Sequence, residues 1–154
     1  MEEKTGIVSE KLDLNKLVEE IISKTAALGG GAIVLFVGYV KGKVGGSIVS
    51  ELNYEAYEEH ALAKMKKIVE EEGRKEGVLD IRVYHRVGSL KPGDITIYVA
   101  VSALNRKIAF ETAAEVLERV KHEVPIFKLE KRNDGEYWVL GDGKRVPRNL
   151  FRGE

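Results

Sequence analysis

The stretch "NRKIAFETAAEVLERVKHEVPIFKLEK", residues 105–131, contains the change from helix to strand on which the fold prediction depends. Its apolar residues recur at helical spacing, which predicts a helix over about 106–123. Pro125 cannot continue that helix, because it lacks a backbone N–H and its ring clashes with the preceding turn. The apolar "IFKLEKR" that follows predicts a strand. Lys121 is therefore expected at the end of a helix and Lys128 within a strand, on either side of a chain reversal.

The hydrophobic pattern on both sides of this stretch predicts the order α-β-β-α-β-β-α-β-β. Asp13 is placed to cap the first helix, and "AIVLFVGYV", apolar on both faces, predicts a buried central strand. "KGKVGGS" is typical of a glycine-rich loop and "SLKPGD" of a tight turn. A second helix is predicted over roughly 57–76, and further strands in "IVSELNYEAY", "LDIRVYHRVG", "DITIYVAVSA" and "EYWVL". The order predicts an α+β sandwich in which helices pack on a mainly antiparallel sheet.

The composition limits the class of protein. The 154 residues fit one domain, 1–154, and the formal net charge is zero, so any basic site must be local. Cysteine is absent, which excludes disulfides, thiolate metal sites and a cysteine nucleophile. The N-terminus is too polar for a signal peptide, and the longest apolar run is too short to span a membrane. We expect a cytoplasmic protein whose partners include neither nucleic acid nor a membrane.

The two lysines have both a plain and a functional interpretation. Lys121 falls where a cation interacts favourably with the helix dipole, and Lys128 fits the solvated face of a strand. The break at Pro125 could instead bring both ammonium groups to one pocket. A desolvated lysine beside another cation has a lowered pKa and can act as a nucleophile or a proton carrier, or it can bind an anion.

A second candidate site is "SALNRKIAF", where a strand ends and a helix begins. Backbone N–H groups at a helix start, together with the guanidinium of Arg106, suit a phosphate. The alternative is that Asn105 is only an N-cap and Arg106 a solvated first-turn residue. Both interpretations stay open on the residues alone.

The other candidates are weaker. The loop that contains Lys41 lacks the G-x-x-x-x-G-K-[ST] pattern, so nucleotide hydrolysis is not predicted. His85 lies in an apolar alternating strand, which favours a satisfied core histidine over a catalytic base. No spacing of histidines and carboxylates predicts a metal site.

Five fragments, taken in order, resemble one family. "GAIVLFVGYVKG" is similar to its first strand and active-site loop, and "LNYEAY" to its next strand. "HRVGSLKPGD" resembles its H-R-x-G-x-L-x-x-G-(D/E) turn, "NRKIAF" its H-R-x-x-A-F helix start, and "KHEVPIFKLE" its K-x-x-x-P-x-(W/F)-K-x-E block. The likeness runs from about residue 31 to residue 138. The chain thus resembles the large, catalytic subunit of molybdopterin synthase.

The resemblance implies an α/β-hammerhead-type fold and a homodimer. Each subunit is then expected to bind one small ubiquitin-like sulfur-carrier protein, which gives a heterotetramer. The carrier's C-terminal Gly-Gly tail ends in a thiocarboxylate, and its sulfur passes to cyclic pyranopterin monophosphate. Two transfers build the dithiolene of molybdopterin. This sulfurtransferase activity needs no cofactor or metal on this subunit, and the partner brings the sulfur.

Site residues follow from the resemblance by position. Lys128 and Lys121 match the family's two functional lysines. Lys128 is assigned the more direct role of polarising the thiocarboxylate or holding an acyl-type intermediate, and Lys121 is assigned substrate binding and charge stabilisation. Arg106 matches the arginine expected to grip the pterin phosphate. The predicted substrate-binding residues are Arg106, Asn105, Lys41, Tyr39, Phe36, Glu130 and Arg145.

The chain departs from the family pattern at two positions. Asn105 stands where histidine is usual, and Lys41 stands where arginine is common. The family's C-terminal basic residue, which reaches the neighbouring subunit's site, has no clear match; Arg145 and Arg148, in the tail of about 141–154, are the candidates. Because asparagine can only hydrogen-bond, a non-catalytic α+β module that binds a small anionic ligand or a protein C-terminal tail remains the alternative.

Overall fold

The computed structural model describes residues 3–141 and 143–151. Its helices are α1 (Leu14–Thr25), α2 (Glu58–Gly73), α3 (Arg106–Glu123) and α4 (Arg148–Phe151), and a 3-10 turn (Ala26–Leu28) follows α1. Its strands are β1 (Thr5–Val8), β2 (Ala32–Tyr39), β3 (Lys43–Val44), β4 (Ser47–Ala56), β5 (Val78–Arg86), β6 (Gly88–Leu90), β7 (Ile95–Ala103), β8 (Ile126–Arg132), β9 (Gly135–Val139) and β10 (Arg145–Pro147). None of the helices in these residues is long and apolar enough to cross a membrane.

The strands form two sheets. The first has the order β1-β5-β7-β2, in which only the β1–β5 pair is parallel among the described strands. The second has the order β10-β9-β8-β4-β3 and is antiparallel, with β6 also paired to β4. The predicted α+β class with mainly antiparallel pairing is confirmed, with the strands divided between two sheets.

The core lies on both faces of the first sheet. On one face, α2 and α3 pack against alternate residues of β5 and β7, and on the other face α1 packs against Tyr84 and Tyr98. The first face buries Met65, Ile68, Ile81, Val83, Val99, Val101 and Val116, each at most 1% exposed. Burying a side chain of this size stabilises the fold by about 1.5–3 kcal/mol. The helices are therefore fixed against the sheet, and α3 presents its C-terminal end to the second sheet.

The prediction that "AIVLFVGYV" forms a buried central strand is wrong. This segment is β2, which lies at the edge of its sheet and pairs only with β7 among the described strands. The strand is apolar on both sides because Val34 and Phe36 pack against one core cluster while Ile33 and Leu35 pack against the other. The pattern of apolar side chains along a strand shows which faces of the strand are covered. It does not show how many strands pair with that strand.

The predicted boundaries hold best where local capping signals exist. Asp13 caps α1 by accepting from the backbone N–H of Lys16, and α3 has the predicted bounds. The N-terminal β1 and the short β3, β6 and β10 were not predicted. Part of the predicted loop "KGKVGGS" is the β3–β4 hairpin, and the predicted turn "SLKPGD" begins in β6 and closes with Asp94 N–H bonded to the Lys91 carbonyl at 2.9 Å.

Candidate active site

The amine of Lys128 lies over one aromatic ring, which in turn contacts a second ring from the other sheet. Lys128 on β8 lies directly opposite Tyr54 on β4, so the two side chains share a face. The Lys128 Nζ lies 5.6 Å from the centroid of the buried Tyr54 ring, which is within cation–π range. The Tyr54 ring in turn contacts the ring of His85 on β5, with 5.1 Å between the centroids. Lys128 is thus held by strands of both sheets.

Lys121 reaches the same pocket from the last turn of α3. The helix ends at Glu123, and the chain turns at Pro125 into β8, which brings the two lysines to a cavity of about 220 Å³. The predicted convergence of the lysine pair is therefore present in the fold. The cavity is also lined by Tyr39, Val40, Lys41, Leu52, Tyr54, Glu130, Val139, Leu140, Gly141, Gly143 and Arg145.

Arg145 is fixed at this cavity by a buried carboxylate. Its Nε and Nη2 donate to the two carboxylate oxygens of Glu130 at 2.9 and 3.2 Å, and the Glu130 side chain is 1% exposed. Among the described residues that line the cavity, Glu130 is the one carboxylate and faces four cationic side chains. The geometry gives Glu130 the role of holding Arg145, and direct contact of either residue with substrate stays a prediction.

The charge surplus and the burial both act on Lys128. Burial, together with the nearby charges of Lys121 and Arg145, lowers the pKa of its amine to about 8. At such a pKa, about a tenth of the amine is unprotonated at pH 7 and about half at pH 8. The site can therefore offer a nucleophilic or proton-accepting amine beside fixed positive charge.

The prediction that Arg106 lines this cavity together with the lysines is wrong within one chain. Arg106 is the first residue of α3 and Lys121 lies near its end, so the helix separates them by about 22 Å at about 1.5 Å per residue. Asn105 beside it is the N-cap of α3, and its Oδ1 accepts from the N–H of Ile108 at 3.0 Å. A helix is a stiff rod, so both residues lie at its opposite end, and their substrate contacts stay predictions that require a second chain.

Other predicted residues have varied positions. Tyr39 and Lys41 line the cavity, whereas Phe36 packs against the main core cluster and is not part of the lining. The described part of the predicted crossing tail contacts its own chain, where β10 pairs with β9 and Arg148 bonds Glu136 at 2.9 Å, and its reach to a partner subunit stays a prediction. Asp142 and residues 152–154 lie outside the described residues.

No group of three or more His, Cys, Asp or Glu within 3–141 and 143–151 is arranged to hold a metal ion.

Sequence reasoning missed the supporting role of two residues. The sequence analysis places Tyr54 only within the predicted strand "IVSELNYEAY", and His85 only in the core. The available signal was a polar aromatic side chain at an inward position of each strand, since such groups usually have a partner when buried. Their contact could not be inferred, because β4 and β5 belong to different sheets.

Comparison with known proteins agrees with this geometry. The sequence model described as the MoaE protein family matches residues 7–123. The chain belongs to the MoaE family. A molybdopterin synthase catalytic subunit from Pyrococcus abyssi is 38% identical over 144 residues, which cover 94% of this chain and 95% of that protein. The predicted membership among molybdopterin synthase catalytic subunits is thereby confirmed.

Solved structures of MoaE-type proteins share the fold. The crystal structure of molybdopterin synthase from Staphylococcus aureus is similar with a TM-score of 0.79 and 32% identity, over 90% of this chain and 98% of that one. A protein–protein complex of subunits 1 and 2 of molybdopterin-converting factor from Helicobacter pylori contains a chain with a TM-score of 0.68 and 24% identity, over 95% and 90% of the two chains. At that identity the second likeness shows the fold.

Proposed function

We propose that this MoaE-family chain transfers sulfur from the C-terminal thiocarboxylate of a small ubiquitin-like carrier to cyclic pyranopterin monophosphate, which yields molybdopterin. The observation that carries the proposal is the Lys128 amine, with its pKa lowered to about 8, in a cavity where four cations face one carboxylate. The precursor's phosphate, the thiocarboxylate and the departing carboxylate are all anionic. A chain of zero net charge has to concentrate cations locally to bind them.

The residues have distinct parts in the proposed reaction. The carrier's tail enters the cavity with its thiocarboxylate next to Lys128, whose amine polarises the carbonyl or holds the acyl group. The thiocarboxylate sulfur forms a bond to a side-chain carbon of the pterin, and that carbon loses its bond to an oxygen. Water then attacks the acyl carbon of the resulting thioester, the acyl carbon–sulfur bond breaks, and the carrier leaves as a carboxylate while the sulfur stays on the pterin. Lys121 and the fixed guanidinium of Arg145 stabilise the negative charge that develops. A cytoplasmic location and independence from any cofactor of its own stay predictions.

A second copy of this chain is proposed to complete the site. Arg106 is exposed at the far end of α3, so a grip on the pterin phosphate requires the Arg106 of a neighbouring subunit. The Helicobacter pylori complex of two converting-factor subunits supports a small partner in addition. The assembly we propose is a homodimer of this chain with one carrier on each subunit.

The decisive assay mixes this chain with thiocarboxylated carrier and the cyclic pterin precursor and measures molybdopterin. The native chain is expected to form product, and Lys128→Ala is expected to abolish it while carrier binding and the fold persist. Carrier binding without any product from the native chain would support the non-catalytic module instead. Undiminished product from Lys128→Ala would refute the role of that amine.

Mixing two inactive variants tests the shared site. Lys128→Ala and Arg106→Ala each remove one half of it, so a mixture re-associated from separated subunits contains some sites with both residues intact. Product is expected to return in the mixture to about a quarter of the native level, as random pairing predicts. If Arg106→Ala alone is fully active, or the mixture stays inactive, the shared site is wrong.

A further inference from the structure

A second, narrow cavity also contacts the lysine pair. Its volume is about 50 Å³, and its polar side chains are those of His85, Lys121 and Lys128. The rest of its lining is apolar or glycine, namely Ile97, Val120, Val124, Ile126, Val139 and Gly141. A cavity needs about 10–15 Å³ and two to four polar partners to hold an ordered water molecule. This cavity meets both conditions.

The hydrogen bond of His85 fixes the tautomer of its ring, and so which ring nitrogen can accept a hydrogen bond. Its Nδ1 lies 2.7 Å from the carbonyl oxygen of Arg86, and a carbonyl only accepts, so Nδ1 carries the hydrogen and donates. Nε2 then has a free lone pair, and no hydrogen bond engages it among the residues that the structure describes. Burial and the charge of Lys128 lower the pKa of His85 to about 4, so the ring is neutral near pH 7.

His85 is also linked to Lys128 through the ring of Tyr54, which contacts both side chains. The centroid of the Tyr54 ring lies 5.1 Å from that of the imidazole and 5.6 Å from the Lys128 Nζ. Burial raises the pKa of Tyr54 to about 12, so this ring is uncharged as well. The Lys128 amine thus lies over a neutral ring that itself contacts the neutral imidazole of His85.

We propose that His85 is a positioning residue for Lys128: its Nε2 lone pair accepts a hydrogen bond from a water molecule in the narrow cavity, and that water accepts from the Lys128 amine and orients it toward the substrate pocket. The inference rests on the proposed function. No proton is assigned to the imidazole, whose pKa is too low for a base at neutral pH. The other titratable or charged side chains around Lys128 are Lys121 from α3, Arg145 from β10, Glu130 from β8, Tyr54 from β4, and Tyr39 and Lys41 at the end of β2.

The experiment titrates Lys128 by NMR in the full chain with ¹³C-labelled lysine, with the Lys128→Arg spectrum for assignment. His85→Phe keeps the ring volume but removes the lone pair, so the ammonium loses an acceptor and its midpoint is expected to fall by about one pH unit. His85→Gln places an amide oxygen near the Nε2 position and is expected to restore the native midpoint. Should His85→Phe not fold, His85→Asn keeps a donor for the Arg86 carbonyl and removes the outer acceptor.

His122 is the matched control. Its Nδ1 also lies near a backbone carbonyl, that of Glu118 at 2.9 Å, and it follows Lys121 directly, but its ring is exposed. His122→Phe is expected to leave the Lys128 midpoint unchanged. An unchanged midpoint in both the Phe and Asn variants of His85, or an equal shift in His122→Phe, overturns the proposal, and so does a failure of His85→Gln to restore it.

The kinetic readout separates positioning from general damage. With carrier and precursor present, the kcat of His85→Phe is expected to fall about 10-fold with little change in KM, and that of His85→Gln to recover, because an amine that points away from the reacting atoms slows only the chemical step. A rise in KM with kcat unchanged contradicts this. The titration needs neither carrier nor pterin, so an inactive reconstitution leaves its result intact and bears only on the proposed function.

Discussion

Two charged clusters lie along the C-terminal half of α3, and they are built in opposite ways. Around Arg119, which faces α2, each cation has close carboxylate partners. Around Lys121, two residues further along, the cations outnumber the carboxylates and point into a cavity. The same helix thus carries a balanced cluster and an unbalanced one.

The balanced cluster joins α2 to α3. Arg119 donates to Glu71, Glu72 and Glu123 at 2.6, 3.1 and 2.7 Å, and Lys75 bridges Glu72 to α3 at 2.7 Å. The hydrogen bonds of Glu123 and Glu71 raise the pKa of Arg119, and Arg119 lowers the pKa of both carboxyls. Removing one partner from pairs of this kind destabilises the folded state most where the other partner is buried, as Glu72 is.

The unbalanced cluster costs stability instead. Lys128 is desolvated next to two other cations. Among the cavity's cations, Arg145 alone has a carboxylate partner in the cavity within residues 3–141 and 143–151. Cations held without partners leave positive potential for an anion to occupy. Comparison of the two clusters indicates that cations paired with carboxylates on α3 serve the structure. Cations in excess of the carboxylates serve binding and catalysis. The following predictions test that distinction.

The largest expected effect is on the reaction rate. Lys128→Ala is expected to lower the rate of molybdopterin formation by about 10³-fold, because it removes a group that acts on the reacting atoms. Lys75→Ala, which removes one lysine from the balanced cluster, is expected to leave the rate unchanged. Single-turnover product formation measures both variants. Equal losses in the two would erase the distinction between the clusters.

The next effect is on stability. Arg119→Met removes one of the two cations that pair with the buried Glu72 and is expected to lower the free energy of unfolding by about 1–2 kcal/mol, because Lys75 remains as a partner. Urea denaturation measures it, and the rate per folded molecule is expected to stay near the native value. A loss below about 0.5 kcal/mol would mean that the cluster behaves as an ordinary exposed ion pair.

Replacing Lys128 by an apolar residue is expected to raise the free energy of unfolding, whereas Arg119→Met lowers it. Because burial lowers the folded-state pKa of Lys128 to about 8 from 10.5, the charged amine costs stability at every pH below 8. Lys128→Met is thus expected to raise the free energy of unfolding by about 1–2 kcal/mol at pH 7. Between pH 8 and 10.5, Lys128 of the unsubstituted chain is protonated in the unfolded state and neutral in the folded state. The unsubstituted chain therefore becomes more stable as the pH rises through this range, and the stability advantage of Lys128→Met shrinks. Urea denaturation at pH 7 and pH 10 measures both, and a destabilised variant at pH 7 contradicts the interpretation.

The smallest effect concerns the far end of α3. Asn105→Ala removes the N-cap bond to Ile108 and is expected to lower stability by about 1 kcal/mol. Asn105→Ser and Asn105→Asp keep a capping oxygen and are expected to retain stability. Thermal unfolding ranks the three. If all three are equally stable, the cap contributes nothing, and a binding role is left for Asn105.

The sequence allowed prediction of the features that depend on local signals. The bounds of α3 follow from the cap at Asn105 and the break at Pro125, and the approach of Lys121 to Lys128 follows from the same break. The family resemblance added the functional lysines and the fold. Each of these features depends on residues close together in the sequence or on a recognisable motif, so a single segment of the chain is enough to predict it.

The remaining features depend on partners distant in sequence. The edge position of β2 depends on which strands pair, and its side-chain pattern is the same for an edge or a centre when both faces are covered. The contact of Tyr54 with His85 joins two sheets, and the Glu130–Arg145 bond joins β8 to β10. Arg106 was misplaced because a motif match gives a role without a distance, and the length of α3 separates this residue from the lysines.

The most direct test of the central claim is a crystal structure of this chain bound to the carrier in its carboxylate form. The account predicts that the carrier's terminal carboxyl carbon lies about 3–4 Å from the Lys128 Nζ, within the cluster of unpaired cations. A tail that ends more than about 10 Å from Lys128, or that engages the paired cations around Arg119, would contradict it.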